Sequence, residues 1–247
     1  RGKATVGGQV LHVRVLDYMR DIRLQDAATV TVYMPDDYNA WVSLGYAGFI
    51  GTVTAMNEKG LAIGEMGGRG EGDWDGMPMS FLLRDVMERA NNVEEAIAII
   101  RKTPRTCEYY YVVSDKSGAM QAMHCTADKL ILLKPGQQNE QLPHVPDDVV
   151  LVSGPDRAKV LSDRIQQHYG KIDASRLIEI IKRPVAMRSN LHNAVFAPQS
   201  QEMWFADAGR RTCACDEPYA RFKLPDMIKF FRQHAQLKRA ASRVPSP

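Results

Sequence analysis

The sequence predicts an α+β fold in which two mainly antiparallel β-sheets pack face to face and helices cover their outer sides. Neighbouring strand patterns are joined by tight turns, and amphipathic helices stand in groups between blocks of strands. No internal repeat or linker interrupts the 247 residues, of which 45% are apolar and 25% charged. This composition is ordinary for a globular protein, so we expect one domain over residues 1–247.

The first block of the chain is predicted to be all strand. Alternating or β-branched apolar residues predict four strands, over 10–17, 29–34, 48–56 and 60–66. Gly60 closes the turn between the last two, where positive φ is needed. A glycine-rich segment, 67–76, has no phosphate-binding motif and carries acidic residues, which predicts a surface loop.

The rest of the chain alternates helices with strands. A helix beginning at Pro78 and a helix over 93–100 show apolar residues at helical spacing, and Pro104 follows them. Later helices are predicted over 155–169, 174–182 and around 224–231, with Asp173 as an N-cap. The predicted strands cover 108–114, 119–124, 129–133, 149–153, 192–197 and 202–206, with a polar loop over 137–148.

Several functional classes are disfavoured by composition and motifs. The net charge is +3 and basic residues alternate with acidic ones, so we expect no nucleic-acid partner. No apolar run is long enough to span a membrane. Cys213 and Cys215 are too close for a usual zinc pair, and Cys107 and Cys125 suit buried thiols, so metal-dependent hydrolysis ranks last. We expect neither a metal nor another cofactor.

One segment carries a family resemblance. Val13-Arg14-Val15-Leu16-Asp17-Tyr18 resembles the G-R-N-x-D-[WFY] strand of the penicillin acyltransferase-like and choloylglycine hydrolase families, with valines in place of Gly and Asn. Similar blocks follow in the same order over nearly the whole chain, at 48–51, 56–66, Arg105, 114–115, 155–157 and 190–196. The resemblance implies an N-terminal-nucleophile (Ntn) hydrolase with a four-layer αββα sandwich.

The resemblance also implies roles for particular residues. In such enzymes the first residue of the mature chain is a cysteine, whose free α-amine serves as the base. Arg14 would favour the thiolate and Asp17 would orient the amine, although spacing alone also suits an ion pair on an edge strand. Ser153 stands where the family usually has an oxyanion-binding Asn. The remaining implied site residues are Asn190 as a further polar group and Glu65 and Tyr18 as substrate contacts.

The expected function is hydrolysis or acyl transfer on an N-acyl small molecule, such as an acylated amino acid, a β-lactam side chain or a bile-salt conjugate. Arg1 cannot be the nucleophile, so we expect the cysteine a few residues before it, exposed by autocatalytic cleavage. The alternative is a non-catalytic relative that keeps the fold and a binding pocket. The sequence is compatible with a homo-oligomer and with either a cytoplasmic or an exported protein.

Overall fold

The computed structural model describes residues 1–69, 72–133, 135–136 and 145–241. Most of the predicted loop over 137–148 and part of the glycine-rich segment lie outside these residues. The strands are β1 His12–Asp17, β2 Ala28–Tyr33, β3 Trp41–Tyr46, β4 Thr54–Asn57, β5 Leu61–Gly67, β6 Tyr109–Asp115, β7 Met120–Cys125, β8 Leu130–Leu133, β9 Asn190–Ala197, β10 Glu202–Asp207 and β11 Ala220–Lys223. The α-helices are α1 Met79–Arg89, α2 Val93–Lys102, α3 Pro155–Gln167, α4 Ala174–Ile180 and α5 Leu224–Ala241.

The strands form two sheets in which all neighbouring strands are antiparallel. One sheet has the order β1-β9-β10-β11, and the other runs from β2 to β8 in chain order. The tight turns of the sequence therefore set most of the second sheet, because each strand pairs with the next along the chain.

Three apolar cores define the layers. Between the sheets, Met56 packs in one cluster with Phe196. Trp41 belongs to a second cluster with Leu83 of α1, on the outer face of the seven-stranded sheet. Val195 belongs to a third, with residues of α3 and α4 on the outer face of the four-stranded sheet. The order helix, sheet, sheet, helix confirms the predicted four-layer α+β sandwich.

Local signals explain several element boundaries. Asp173 caps α4 as predicted, since its carboxylate accepts a hydrogen bond from Arg176 N at 2.7 Å. Asn92 caps α2 in the same way through Glu95 N at 2.9 Å. Gly60 has φ of +76° in the β4–β5 turn, which only glycine adopts without strain.

Two strand predictions were wrong, and two strands were missed. The strand expected over 48–56 begins only at Thr54, because Gly48 has φ of +85° and Gly51 lies against α1, where a Cβ would approach Ser80 to 2.6 Å. The preceding run, Trp41–Tyr46, is the buried strand β3, which has no alternation to reveal it. Residues 149–153 have no strand assignment, and β11 was not expected. In the described part of the chain, no helix is long and apolar enough to cross a membrane.

Candidate active site

A cavity of about 980 Å³ opens beside β1. Among the described residues β1 pairs with β9 alone, so its other edge is unpaired, and all six of its residues line the cavity. Residues 148–153 and Arg1 also line the cavity. The cavity is therefore lined both by the edge strand of a sheet and by a segment that is not a strand. It brings together five of the predicted site residues, namely Arg14, Asp17, Tyr18, Glu65 and Ser153.

Arg14 forms a buried ion pair with Glu65. The guanidinium Nη2 lies 3.2 Å from the carboxylate Oε2, and the two side chains are 10% and 7% exposed. Burial raises the pKa of Glu65 and lowers the pKa of Arg14, while the attraction between them acts in the opposite direction on each. The pair puts a fixed positive charge beside the cavity, since an arginine keeps its proton in proteins.

Asp17 is held at the end of β1 by two donors. Arg157 Nη1 of α3 lies 2.6 Å from Asp17 Oδ2, and Met187 N donates to Oδ1 at 2.9 Å. The strand has an irregularity between Leu16 and Asp17. Tyr18, the next residue, is half exposed at the cavity. The carboxylate is thus fixed in direction, next to an aromatic ring that is free to meet a ligand.

Ser153 and Asn190 occupy different environments. Ser153 lines the cavity just before α3, where Gly154 is the N-cap. Asn190 is fully buried at the start of β9 and does not line the cavity. Its Nδ2 donates to Leu16 O at 3.1 Å, and its Oδ1 accepts from Cys215 N at 2.8 Å. The structure therefore gives Asn190 a position in the framework behind β1.

Two polar groups in the cavity wall were not expected from the sequence. His12 Nδ1 lies 2.9 Å from Ser114 Oγ, and its Nε2 has no partner in the described part of the chain. Burial lowers the pKa of His12 to about 4, with Arg14 acting in the same direction. The sequence did hold a signal for His12: it lies two residues before Arg14 on a predicted strand, and residues two apart on a strand share a face.

The other group is Tyr46, at the end of β3. Its hydroxyl lies 2.9 Å from His192 Nδ1, and His192 Nε2 lies 2.9 Å from Thr54 Oγ1. Burial, with Arg14 second, lowers the pKa of His192 to about 3, so the ring is neutral at physiological pH. The sequence placed His192 in a strand pattern but offered no signal for its partner, 146 residues away.

The cysteines take no part in this cavity. Cys107, Cys125, Cys213 and Cys215 are buried and free of disulfides. Cys213 and Cys215 pack with Ala186 and Val15. Among the residues that the structure describes, no three histidine, cysteine or acidic side chains lie close enough to hold a metal ion.

Two curated relatives match most of the chain. It is 29% identical over 212 residues to Protein dcd1B of Dictyostelium discoideum and 25% identical over 268 residues to Protein dcd1A of the same organism. These alignments cover 78% and 93% of the chain. The chain spans only 41% and 58% of those relatives' own lengths.

Solved structures share the fold at low sequence identity. A Caenorhabditis elegans ortholog of N-acylethanolamine-hydrolyzing acid amidase has a TM-score of 0.60 at 16% identity, covering 78% of this chain and 89% of that one. Penicillin V acylase from Agrobacterium tumefaciens has a TM-score of 0.55 at 14% identity, covering 81% and 80%. A variant of conjugated bile acid hydrolase from Clostridium perfringens has a TM-score of 0.57 at 12% identity, covering 87% and 90%.

The sequence itself decides the family. A model of the acyl-coenzyme A:6-aminopenicillanic acid acyl-transferase family matches residues 11–145, which include β1 with Arg14 and Asp17 and the strand that carries Glu65. This match covers more than half of the chain, and the structural neighbours are Ntn hydrolases, as the resemblance of β1 predicted. The chain belongs to the acyl-coenzyme A:6-aminopenicillanic acid acyl-transferase family of Ntn hydrolases.

Proposed function

We propose that the intact protein is a cysteine-nucleophile amidohydrolase or acyltransferase that acts on an N-acyl small molecule. The observation that carries this proposal is the cavity at the free edge of β1. There a buried cation, Arg14, and an oriented carboxylate, Asp17, border a space large enough for a small molecule.

The path of the first residues supports a nucleophile upstream of Arg1. Gly2 and Gly8 form an antiparallel bridge, so the chain doubles back just before β1. The main-chain nitrogen of Arg1 donates to Asp148 O at 3.2 Å, and both residues line the cavity. A strand that continued this hairpin would run antiparallel along the free edge of β1 and enter the cavity.

The bridge also gives an approximate register. Each step from Gly8 towards Arg14 corresponds to one step upstream from Gly2, so Arg14 would face about the fifth residue before Arg1. By the same count Asp17 would face about the eighth. A cysteine within that short stretch would lie between the two charged groups that its chemistry needs.

The reaction then follows from these groups. The α-amine of the cysteine takes the thiol proton, and the thiolate attacks the carbonyl carbon of the amide. The tetrahedral intermediate collapses, the C–N bond breaks, and the leaving amine receives the proton. The resulting thioester is cleaved by water in a hydrolase or by a second amine in an acyltransferase. Arg14 favours the thiolate, Asp17 orients the α-amine, and Ser153 and the Gly154 N–H are candidate donors to the oxyanion.

The proposed substrate contacts are Glu65 and Tyr18. Glu65 stands beside Arg14 inside the cavity, and the half-exposed ring of Tyr18 stands at the end of β1. Two of the structural neighbours are an N-acylethanolamine-hydrolyzing acid amidase ortholog and a conjugated bile acid hydrolase. An N-acyl amine is therefore the class to test first.

A ligand-binding protein without catalysis is the second candidate. The observation that favours it is that Arg157 and Met187 N already occupy both oxygens of Asp17. A carboxylate oxygen can accept more than one hydrogen bond, so this occupancy does not block the first candidate.

The deciding experiment uses the intact protein with its natural N-terminal region. We expect mass spectrometry of the purified protein to show a mature chain that begins with cysteine, about five to eight residues before Arg1, given the hairpin register. Amine release from a panel of N-acyl amino acids and penicillin V should be lost on changing that cysteine to alanine. The chain that starts at Arg1 is the matched control and should be inactive. Turnover by that control, abolished by replacing Cys107, Cys125, Cys213 or Cys215, would overturn the proposal, and binding without turnover by the intact protein would favour the second candidate.

A further inference from the structure

Tyr46 lines the cavity, and its hydroxyl group belongs to a hydrogen-bonded chain of three side chains. The chain runs from Thr54 in β4 through His192 in β9 to Tyr46 in β3, with contacts of 2.9 Å at each step. It crosses from the seven-stranded sheet to the four-stranded sheet and back. Thr54 and His192 are fully buried, whereas Tyr46 lines the cavity.

The direction of the two hydrogen bonds follows from what each group can do. A neutral imidazole has one N–H donor and one acceptor nitrogen. In the part of the chain that the structure describes, His192 Nε2 is the one group in reach that can accept the hydroxyl proton of the buried Thr54. If Nε2 carried the proton instead, the Thr54 hydroxyl would be a buried donor without a partner, which is unfavourable.

Nε2 therefore accepts from Thr54, and the proton of the ring lies on Nδ1. Nδ1–H then donates to the oxygen of Tyr46. The hydroxyl proton of Tyr46 then has no acceptor among the residues that the structure describes, so it is available to a ligand in the cavity.

The charge state of Tyr46 fits a donor. Burial raises its pKa, Asp207 adds to the increase, and Arg14 acts in the opposite direction. The phenol is thus protonated at neutral pH and suits a hydrogen-bond donor rather than a base. Arg14 and Tyr46 border the same cavity, so the donor lies near the charge that is expected to hold the thiolate.

We propose that Tyr46 is a further catalytic residue, whose hydroxyl donates a hydrogen bond to the oxyanion of the tetrahedral intermediate, with His192 and Thr54 as its positioning residues. This inference rests on the proposed amidohydrolase or acyltransferase function. A second oxyanion donor of fixed direction would also explain why a serine, Ser153, can stand where the family usually has an oxyanion-binding Asn.

The principal test compares Tyr46→Phe with wild type in the intact protein. Loss of one oxyanion donor should lower kcat by about 100-fold or more, with KM changed by less than about threefold because the ground-state carbonyl gains little from the bond. The pH midpoint for iodoacetamide labelling of the nucleophile should stay unchanged. Tyr33→Phe is the matched control, because Tyr33 lies in the adjacent strand β2, stacked on Trp41 and outside the cavity.

The positioning chain has its own readouts. Thr54→Val removes the donor that selects the tautomer and should reduce kcat by about tenfold. Thr54→Ser keeps a hydroxyl donor and should have a kcat close to that of wild type. In ¹⁵N-histidine NMR spectra, His192 should show a protonated Nδ1 and an unprotonated Nε2, and Thr54→Val should lose this preference.

Three results would overturn the role of Tyr46. These are turnover of Tyr46→Phe within about threefold of wild type, a labelling midpoint that moves together with kcat, and an Nε2-protonated His192 in the wild-type spectrum. Absence of turnover in the wild-type protein is a different failure, because it overturns the proposed function before any variant is compared.

Discussion

Two arginine–carboxylate pairs border the cavity, and they differ in how far their side chains are exposed to solvent. The Arg14–Glu65 pair is buried on both sides, with side chains 10% and 7% exposed. In the Arg157–Asp17 pair the carboxylate is 7% exposed, but the guanidinium is 31% exposed. Water can therefore solvate the cation of the second pair and not that of the first. The same pair of chemical groups is thus expected to have very different consequences when it is broken.

Burial, rather than attraction, dominates the inner pair. The pKa of Glu65 is raised and that of Arg14 is lowered, which means that each group is moved towards its neutral form. A buried pair of this kind adds little to stability compared with an apolar replacement, yet removing one partner leaves an uncompensated charge. Its position is better explained by a need for charge in the cavity than by a need for stability.

The largest effect is expected from breaking the inner pair. Glu65→Leu leaves the guanidinium of Arg14 buried without its carboxylate and should lower the free energy of unfolding by about 3–5 kcal/mol. The double variant Arg14→Met/Glu65→Leu should recover most of that loss. Urea denaturation of all three proteins measures both values, and a double variant as unstable as Glu65→Leu would contradict this account of the pair.

Asp207 extends the comparison to a carboxyl group that has no ion-pair partner among the described residues. Burial raises its pKa to about 6 from 3.8. Because the folded-state pKa is the higher one, its contribution to stability is full below about pH 4 and is lost as pH rises through about 6. Asp207→Asn has no carboxyl group to ionise, so the variant should be more stable than wild type at pH 7 by roughly 2 kcal/mol.

The check is the difference in unfolding free energy between wild type and Asp207→Asn at pH 4 and at pH 7. The difference should be small at the lower pH and favour the variant at the higher pH. A difference that does not change with pH would show that the carboxyl group does not titrate in this range.

The next effect in size concerns the influence of Arg14 on the nucleophilic cysteine. In the intact protein, Arg14→Leu should raise the labelling midpoint of the cysteine by about one pH unit, equivalent to roughly 1.4 kcal/mol of lost thiolate stabilisation. Iodoacetamide labelling against pH measures this shift, with a melting curve alongside it. An unchanged midpoint together with a lower melting temperature would make Arg14 a structural residue.

The outer pair should give the smallest effect. Asp17→Leu leaves Arg157 without its carboxylate, but that guanidinium is 31% exposed and stays partly solvated. We expect a loss of at most about 1 kcal/mol in unfolding free energy. A loss as large as that of Glu65→Leu would remove the distinction between the two pairs. Turnover of a separate Arg157→Leu variant reports how far Asp17 depends on Arg157 for its orientation.

Much of the fold could be predicted from local signals. Alternation revealed β1, apolar residues at helical spacing revealed α1 and α2, and Asp173 and Gly60 marked a cap and a turn. The strand β3 was missed because it is buried along its whole length and therefore shows no period of two. Ser153 and Gly154 were correctly placed just before α3, but residues 149–153 were expected to form a strand.

The residues of the candidate site also fall into those that the sequence predicted and those that it could not predict. The order of blocks along the chain predicted Arg14, Asp17, Tyr18, Glu65 and Ser153 as candidate site residues, and all five line one cavity in the structure. It places Asn190 in the framework instead, because its amide is bound by Leu16 O and Cys215 N. Nothing in the sequence linked Tyr46 to His192.

By itself, the sequence determined the family, the layer order and the β1 strand that carries two charged residues. These depend on local periodicity, on turn chemistry and on motifs that stay readable along the chain. Tertiary structure decided that Arg14 pairs with Glu65, 51 residues away, and that Tyr46 meets His192, 146 residues away. The reason is physical: such contacts depend on how two sheets pack and on which strand edge stays open, and these long-range arrangements leave no periodic signal in the residues involved.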